Sequence, residues 1–479
     1  MTSLRQKTIS GLTWSFLDNS FNQVIQFVVG IILARLLNPK DFGLIGMIMI
    51  FFAVSTSLID SGFGDALVRK KNCSADDYNT AFHFNLLIGI LLFLLLFFTA
   101  PIIADFYSEK QLKNIIRVLS LSTIITAFGI VQSADLVKKI DFKTRTKISL
   151  ISNLSSSIIA IIMAYKGFGV WSLVARQFLT NLIGTSTLWF YNKWLPKLRF
   201  SIKSFKELFS FGSNMLVAGL IDRIFNNIYY VIIGKYFSPQ TLGYYTRAAS
   251  FANLPSLSID YVIQRVSYPV LITINDDNER LKAVFKKLVK TTMLITLVFM
   301  IGLASLAEPL ILTLIGDKWR PSIQFLQLLS FSLILYPLQS LNLNILLIKG
   351  RSDIYLRMGI IKKILIIPVI LLGIFNSIEM MIIGMIIHSL ITYLIISNYS
   401  GNFLDYRIVD QIKDILPAFI IAGLNGILIL VISNFLTLPH SISLFILLII
   451  SFTFIIAACE LIKLDSYIEI KEIIISRIN

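Results

Sequence analysis

The sequence is poor in charge, and that shortage excludes most soluble classes at once. Of its 479 residues, 15% are Asp, Glu, Lys or Arg and 56% are hydrophobic. A water-soluble domain carries about 25% charged and 45–50% apolar residues, so a soluble fold is excluded. A long polar interval is missing too: apolar runs near the ~20 residues that span a bilayer recur from Gly11 to Ile462. Cysteine is nearly absent. Cys73 and Cys459 form no spacing pattern and both fall in the reading below on the cytoplasmic side, where thiols stay reduced, so no disulfide is expected. The three histidines, His83, His388 and His440, are scattered with no second ligand at metal spacing, and no metal is expected. There is no G-x-x-x-x-G-K-S/T phosphate loop, which excludes ATP hydrolysis by that route, and no cofactor is implied.

No cleavable signal is expected at the start of the sequence. Met1–Ser10 is polar, and the apolar stretch that follows to about Leu37 includes Asp18, Asn19, Asn22, Gln23 and Gln26. It is too long and too polar for a signal-peptide core.

What is present is a series of apolar runs, near 11–36, 42–61, 81–104, 114–134, 148–165, 168–191, 208–233, 241–268, 289–315, 322–348, 354–375, 378–398, 413–433 and 442–462. They predict an all-α polytopic membrane protein of about fourteen transmembrane helices. The formal net charge of +16 does not point to nucleic acid, because the cations sit in short loops rather than on one basic domain. Those loops alternate. Basic ones hold Arg69–Lys71, Lys138–Lys147, Lys193–Lys206 and Arg280–Lys290, and sparsely charged ones lie around Lys40, Lys110, Lys166, Lys235 and Lys318–Arg320. By the positive-inside rule both termini are expected in the cytoplasm. Beyond the last run, Tyr467, Ile470, Ile474 and Ile478 recur at helical intervals, which suits either a short amphipathic helix on the cytoplasmic surface or a frayed tail.

An internal repeat organises the spans. Asn38-Pro39 with Phe42-Gly43 recurs as Ser238-Pro239 with Leu242-Gly243, an offset of 200 residues, and the same offset superposes Arg35 on Lys235, Gln26 on Asn226, Asn22 on Asp222 and Asp60 on Asp260. An even number of spans separates the copies, so they share one orientation about an axis along the membrane normal. The expected organisation is an N-terminal lobe at 1–200, a C-terminal lobe at 201–400, and two further helices with the tail at 401–479.

An ionisable side chain at bilayer depth costs at least ~2.5–3.5 kcal/mol, so each one needs a reason. Asp18, Asn22 and Gln26 form a polar stripe on the first span, and Asn214, Asp222, Arg223, Asn226 and Asn227 form another on the seventh. Two matching stripes suit a wet cavity; polar glue between helices is the alternative. Cations also fall within spans at Arg176, Arg247, Arg265, Lys362 and Lys363, opposed mainly by Asp18, Asp60, Asp222 and Asp260. With Asp222 beside Arg223 and Asp260 near Arg265 as internal pairs, a positive surplus remains. That suits an anionic substrate, a phosphate above all; snorkelling to the interface is the alternative for Arg247, Arg265 and Lys362. Pro255, Pro337 and Pro368 allow bends, either static or along a pathway.

The stretches Leu33–Gly43 (LARLLNPKDFG), Gly62–Val68 (GFGDALV), Ala100–Tyr107 (APIIADFY), Asp141–Lys143 and Gly167–Val174 (GFGVWSLV) resemble bacterial polysaccharide exporters of the Wzx type. Within the multidrug/oligosaccharidyl-lipid/polysaccharide (MOP) superfamily they are most similar to the colanic-acid-exporter-like branch. That resemblance implies a V-shaped pair of six-helix lobes around a cationic lumen, working by alternating access in the bacterial inner membrane. It implies an undecaprenyl-diphosphate-linked oligosaccharide as the anionic partner, with membrane lipids around it and a polymerase and chain-length regulator beside it. It does not assign individual residues. From the residues, the expected substrate contacts are Arg223, Lys362, Lys363, Arg265, Arg247, Arg176, Asn22, Gln26 and Asn226. Asp18, Asp60, Asp222 and Asp260 are expected to couple an ion or pair charge. Two other readings stay open at this point: a cation-coupled drug or metabolite antiporter, and a membrane polysaccharide polymerase or ligase. The interior cations argue against the first, and outer loops of no more than about ten residues argue against the second.

Overall fold

In the computed structural model residues 4–478 are described, side chains at 4–10, 12, 214, 266 and 473–478 excepted. Every regular element among them is a helix, and they fall into two compact units, Met1–Gly243 and Tyr244–Asn479.

The first unit contains α1 (Leu4–Leu36), α2 (Pro39–Asp60), α3 (Phe63–Arg69), α4 (Ala75–Phe106), α5 (Gln111–Lys138), α6 (Phe142–Tyr165), α7 (Val170–Tyr191) and α8 (Ile202–Tyr236), with the first turn of α9 (Pro239–Thr273). Here α4 packs on α5, α6 on α7 and α1, and α8 along α2. The second unit holds the rest of α9, then α10 (Asn278–Ser305), α11 (Ala307–Leu314), a 3-10 turn at Asp317–Trp319, α12 (Ser322–Leu333), α13 (Tyr336–Ile348), α14 (Ser352–Ile364), α15 (Ile366–Phe375), α16 (Ile378–Leu404), α17 (Ile408–Phe435), α18 (His440–Ile462) and α19 (Asp465–Ile478). Its centre is α10, on which α17 and α12 pack, while α16 gathers α12, α13 and α15.

All fourteen apolar runs of the sequence are helical, and the chain is an all-α polytopic membrane protein. Twelve stretches among the described residues are long and apolar enough to cross a membrane. The other two runs form α7, 22 residues with Arg176, Gln177 and Asn181, and α9, 35 residues with Arg247, Asp260 and Arg265. Their length suffices for a span; their polar side chains lower their apolarity.

Several runs are broken rather than straight. The second bends where Ser61 and Gly62 adopt positive φ, 49° and 69°, before α3. Proline explains two further breaks, since it lacks an N–H and crowds the carbonyl four residues back. Pro337 follows the end of α12 at Leu333 by four residues, and Pro368 follows the end of α14 at Ile364 by four. Pro255 lies inside α9, which stays helical throughout.

The loop alternation reappears as two ends of the first unit. Lys40 pairs with Glu109 at 3.2 Å and Lys235 donates to the Phe106 carbonyl at 2.6 Å, so these sparsely charged turns share one end. At the other end, Lys70 pairs with Glu207 at 3.0 Å, and Lys138 donates to the carbonyls of Leu67 and Lys70 at 3.2 and 2.5 Å, closing the last turn of α3. The basic loops of the second unit also collect together: Lys282 reaches Asp405, Lys286 and Lys290 reach Asp414, and Lys290 reaches Asp465.

The tail is helical as α19, and it docks on protein. Tyr467 and Ile470 pack against the core built on α10, and Glu469 pairs with Lys287 at 3.0 Å. The side chains of Ile474 and Ile478 lie outside the described residues.

Candidate functional site

In the first unit the stripe of α1 is engaged with α6. Asn22 donates to the Asp18 carboxylate at 2.8 Å and to Ser149 Oγ at 2.6 Å, and it accepts from Asn153 Nδ2 at 2.8 Å. Two helices that bury polar groups against each other gain geometric specificity, because each group left unmatched costs its desolvation. Asp18 and Asn22 are half-buried in this knot, whereas Gln26, one turn on, is exposed. Asp60 sits at the α2–α3 bend, where its Oδ1 accepts the Gly64 N–H at 3.0 Å and so caps α3. Arg176 is half-buried on α7, one turn before Thr180, whose hydroxyl meets Ser156 of α6 at 2.7 Å.

Along α8 the second stripe is largely exposed. Asp222, Arg223 and Asn226 are exposed; Asn227 is half-buried and donates to the Arg223 carbonyl at 2.8 Å. Asn214 has its side chain outside the described residues.

In the second unit the structure brings together groups from four helices. Asp260 of α9 is hydrogen-bonded to Gln264 and to Ser340 of α13, and it feels the charge of Lys362 of α14. His388 of α16 places Nε2 3.0 Å from the Lys362 carbonyl, one turn before the α14–α15 break. The other break is tied to the same helix as Asp260: Ser256 Oγ lies 3.4 Å from the Leu333 carbonyl, the acceptor that Pro337 leaves without its helical donor. Beside the two interrupted helices, Asp260 thus feels the Lys362 charge and His388 lies against the Lys362 backbone. Broken helices expose backbone carbonyls and N–H groups at membrane depth, the material from which transporters build substrate and ion sites. The acid's charged partner here is Lys362, while Arg265 is exposed and stacks its guanidinium 4.6 Å from the Tyr261 ring. Lys363 and Arg247 are half-buried.

Ser149, Asn153, Gln264, Ser340 and His388 join these clusters without having been singled out from the sequence. Ser149 and Asn153, four residues apart on one face of α6, and Gln264, four residues after Asp260 on α9, had a local signal. Among the described residues no group of acids, histidines and cysteines has the disposition of a metal site.

With this geometry in hand, comparison with known proteins defines first a class. The fold is similar to that of the lipid II flippase MurJ in an inward closed conformation, with a TM-score of 0.77, 16% identity, and coverage of 95% of this chain and 99% of that one. It is also similar to an inward-facing multidrug resistance MATE transporter of the MOP superfamily, with a TM-score of 0.63, 14% identity, and coverage of 80% and 96%. The architecture is therefore the multi-pass, all-helical fold that those two transport proteins share.

Residues 32–324 match the family described as polysaccharide biosynthesis protein, and the chain belongs to it. Relatives include the teichuronic acid biosynthesis protein TuaB of Bacillus subtilis, 27% identical over 74% of this chain and 74% of that protein. The lipopolysaccharide biosynthesis protein WzxC of Escherichia coli is 26% identical over 78% and 76%.

Proposed function

We propose that the protein is a flippase that carries an undecaprenyl-diphosphate-linked oligosaccharide repeat unit from the cytoplasmic to the periplasmic leaflet of the bacterial inner membrane. The product serves O-antigen, capsule or exopolysaccharide assembly, with a polymerase and a chain-length regulator downstream. The observation that carries this reading is the combination of a family match over residues 32–324 with a fold similarity to MurJ that covers nearly the whole chain.

The repeat copies at 1–200 and 201–400 act as the two lobes of an alternating-access cycle, with both termini cytoplasmic and 401–479 appended. A diphosphate cannot enter ~30 Å of hydrocarbon unless protein groups replace its hydration. Arg223, exposed on the stripe of α8, is the first replacement, and Lys362 with Lys363, Arg265, Arg247 and Arg176 are further ones. Asn22, Gln26 and Asn226 offer hydrogen bonds to the sugar. Asp260, held by Ser340 and Gln264 and opposed by Lys362, is the acid best placed to exchange partners during the cycle, ahead of Asp18, Asp60 and Asp222.

Charge-assisted hydrogen bonds contribute about 1.5–3 kcal/mol each, so loss of one should slow flipping roughly ten- to hundredfold. The test compares surface polysaccharide from Arg223→Ala and from Lys166→Ala, an exposed control, at equal protein level in the membrane. Arg223→Ala should fail, and Arg223→Lys should recover part of the export. Equal export from Arg223→Ala and the control removes Arg223 from the transport path.

A further inference from the structure

We propose that the segment Asn192–Ser201, with the first turn of α8, is a rigid platform that binds anionic phospholipid headgroups. The segment has no helix or strand, yet its backbone is pinned at both ends. The Lys197 N–H donates to Asn79 Oδ1 at 2.8 Å and the Ser201 N–H to Thr80 Oγ1 at 3.0 Å, and Asn79 and Thr80 are both buried on α4. Asn192, itself buried, donates to Asp135 of α5 at 3.1 Å, and the Trp194 ring packs against Tyr78 and Phe82.

These anchors leave the intervening side chains pointing away from the protein. Leu195 is 69% exposed, Leu198 96%, Phe200 53% and Ile202 67%. Between them stand Lys193, Lys197, Arg199 and Lys203, all exposed, and no carboxylate occurs from Asn192 to Lys206. Four largely exposed apolar side chains within eight residues, interleaved with cations, have one natural environment: the boundary between acyl chains and phosphates, where the apolar tips leave water and each cation meets an anion. The position agrees, because α7 ends in Trp189, Phe190 and Tyr191, a cluster of the kind that marks the membrane–water interface. Since the backbone is already fixed, binding orders little more than side chains.

This inference stands apart from the flippase reading and is tested without transport. Full-length protein carrying Leu198→Cys labelled with bimane is reconstituted in phosphatidylcholine vesicles that contain equal fractions of brominated phosphatidylglycerol or brominated phosphatidylcholine. At ~0.1 M salt the brominated phosphatidylglycerol should quench several-fold better, given about fivefold in local lipid preference per cation near an anionic surface. The preference should collapse in the Lys193/Lys197/Arg199/Lys203→Gln variant and at ~1 M salt, where screening reaches within about 3 Å. The salt arm needs no folded variant. Equal quenching by the two lipids, or a preference that persists at high salt, overturns the proposal. So does absence of quenching by either lipid, which would leave the platform free for a soluble partner.

Discussion

Gly43 and Gly243 occupy the same place in the two copies of the repeat, and each lies against the carbonyl of the other copy's proline. A Cβ built on Gly43 would stand 2.6 Å from the Pro239 carbonyl carbon, and one built on Gly243 would stand 2.6 Å from that of Pro39. The contact is reciprocal, as a two-fold relation between first turns requires. Both turns are built alike, with proline at the first helical position and a cap before it: the Asn38 N–H donates to Asp41 at 2.9 Å, and Ser238 Oγ accepts from Thr241 at 3.1 Å.

Gly43→Ala and Gly243→Ala should therefore have the same phenotype, since each forces the two backbones apart. Overpacking of this kind costs about 1–3 kcal/mol even where side chains can adjust, and here the obstacle is main chain. Melting in detergent should fall by several degrees in both variants. Gly423→Ala, where a Cβ meets nothing within 4 Å, should leave it unchanged or raise it slightly. Unequal effects of the two alanines would show that the reciprocity has no energetic content.

The same symmetry bears on sidedness. Cysteines placed at Asn38 and Ser238 should react with a membrane-impermeant reagent from the same side and at similar rates, and that side should be the periplasm. Cysteines at Lys71 and Arg199 should react only from the opposite one. Labelling of Asn38 and Arg199 from one side contradicts the loop-charge alternation.

The charge that Lys362 exerts on Asp260 separates structure from transport. Lys362→Met alone leaves the acid without its opposing charge and should destabilise by roughly 1–3 kcal/mol, read as a lowered melting temperature. Adding Asp260→Asn should recover most of that loss. Export should stay absent in the double variant, and its return would mean that the pair serves folding only.

Lys70 supplies a test by pH. Its ammonium is held by Asp77 first and by Glu207 second, which raises its pKa above the ordinary 10.5. A cation whose folded value is raised stabilises the fold fully below its unfolded value and loses that contribution as pH climbs through the folded one. The stability difference between the parent and Lys70→Gln should be flat from pH 7 to about 10 and shrink above 10.5. A difference that grows in that range would reverse the assignment.

The spans were legible because a membrane helix needs one continuous apolar run, and such a run is a local signal. Even α7 and α9, diluted by Arg176 and by Asp260 and Arg265, kept their length. The interruptions were legible in part. Pro337 and Pro368 announce breaks four residues earlier, whereas the bend at Ser61-Gly62 depends on two positive φ values that Asp60-Ser-Gly hints at only as a helix stop. The clusters were not legible as clusters. Nothing near Asn22 in sequence names Ser149 or Asn153, and nothing near Lys362 names His388, since partners more than 20 residues apart are chosen by packing. Nor does anything near Asp260 in sequence name Ser340 or Lys362, which belong to other helices.

The docking of α19 also sets an order of synthesis. Residues that build the first unit precede position 244, so that unit can close while the ribosome is still translating the second. The second cannot: its core around α10 is sealed by Leu464, Tyr467 and Ile470, and Lys287 and Lys290 meet Glu469 and Asp465 only once that stretch has emerged. A nascent chain stalled before residue 464 would display a bare apolar seam and Lys287 without Glu469, while Lys282, Lys286 and Lys290 would already have Asp405 and Asp414. In this fold the spans of the second unit are all translated before the helix that covers its core.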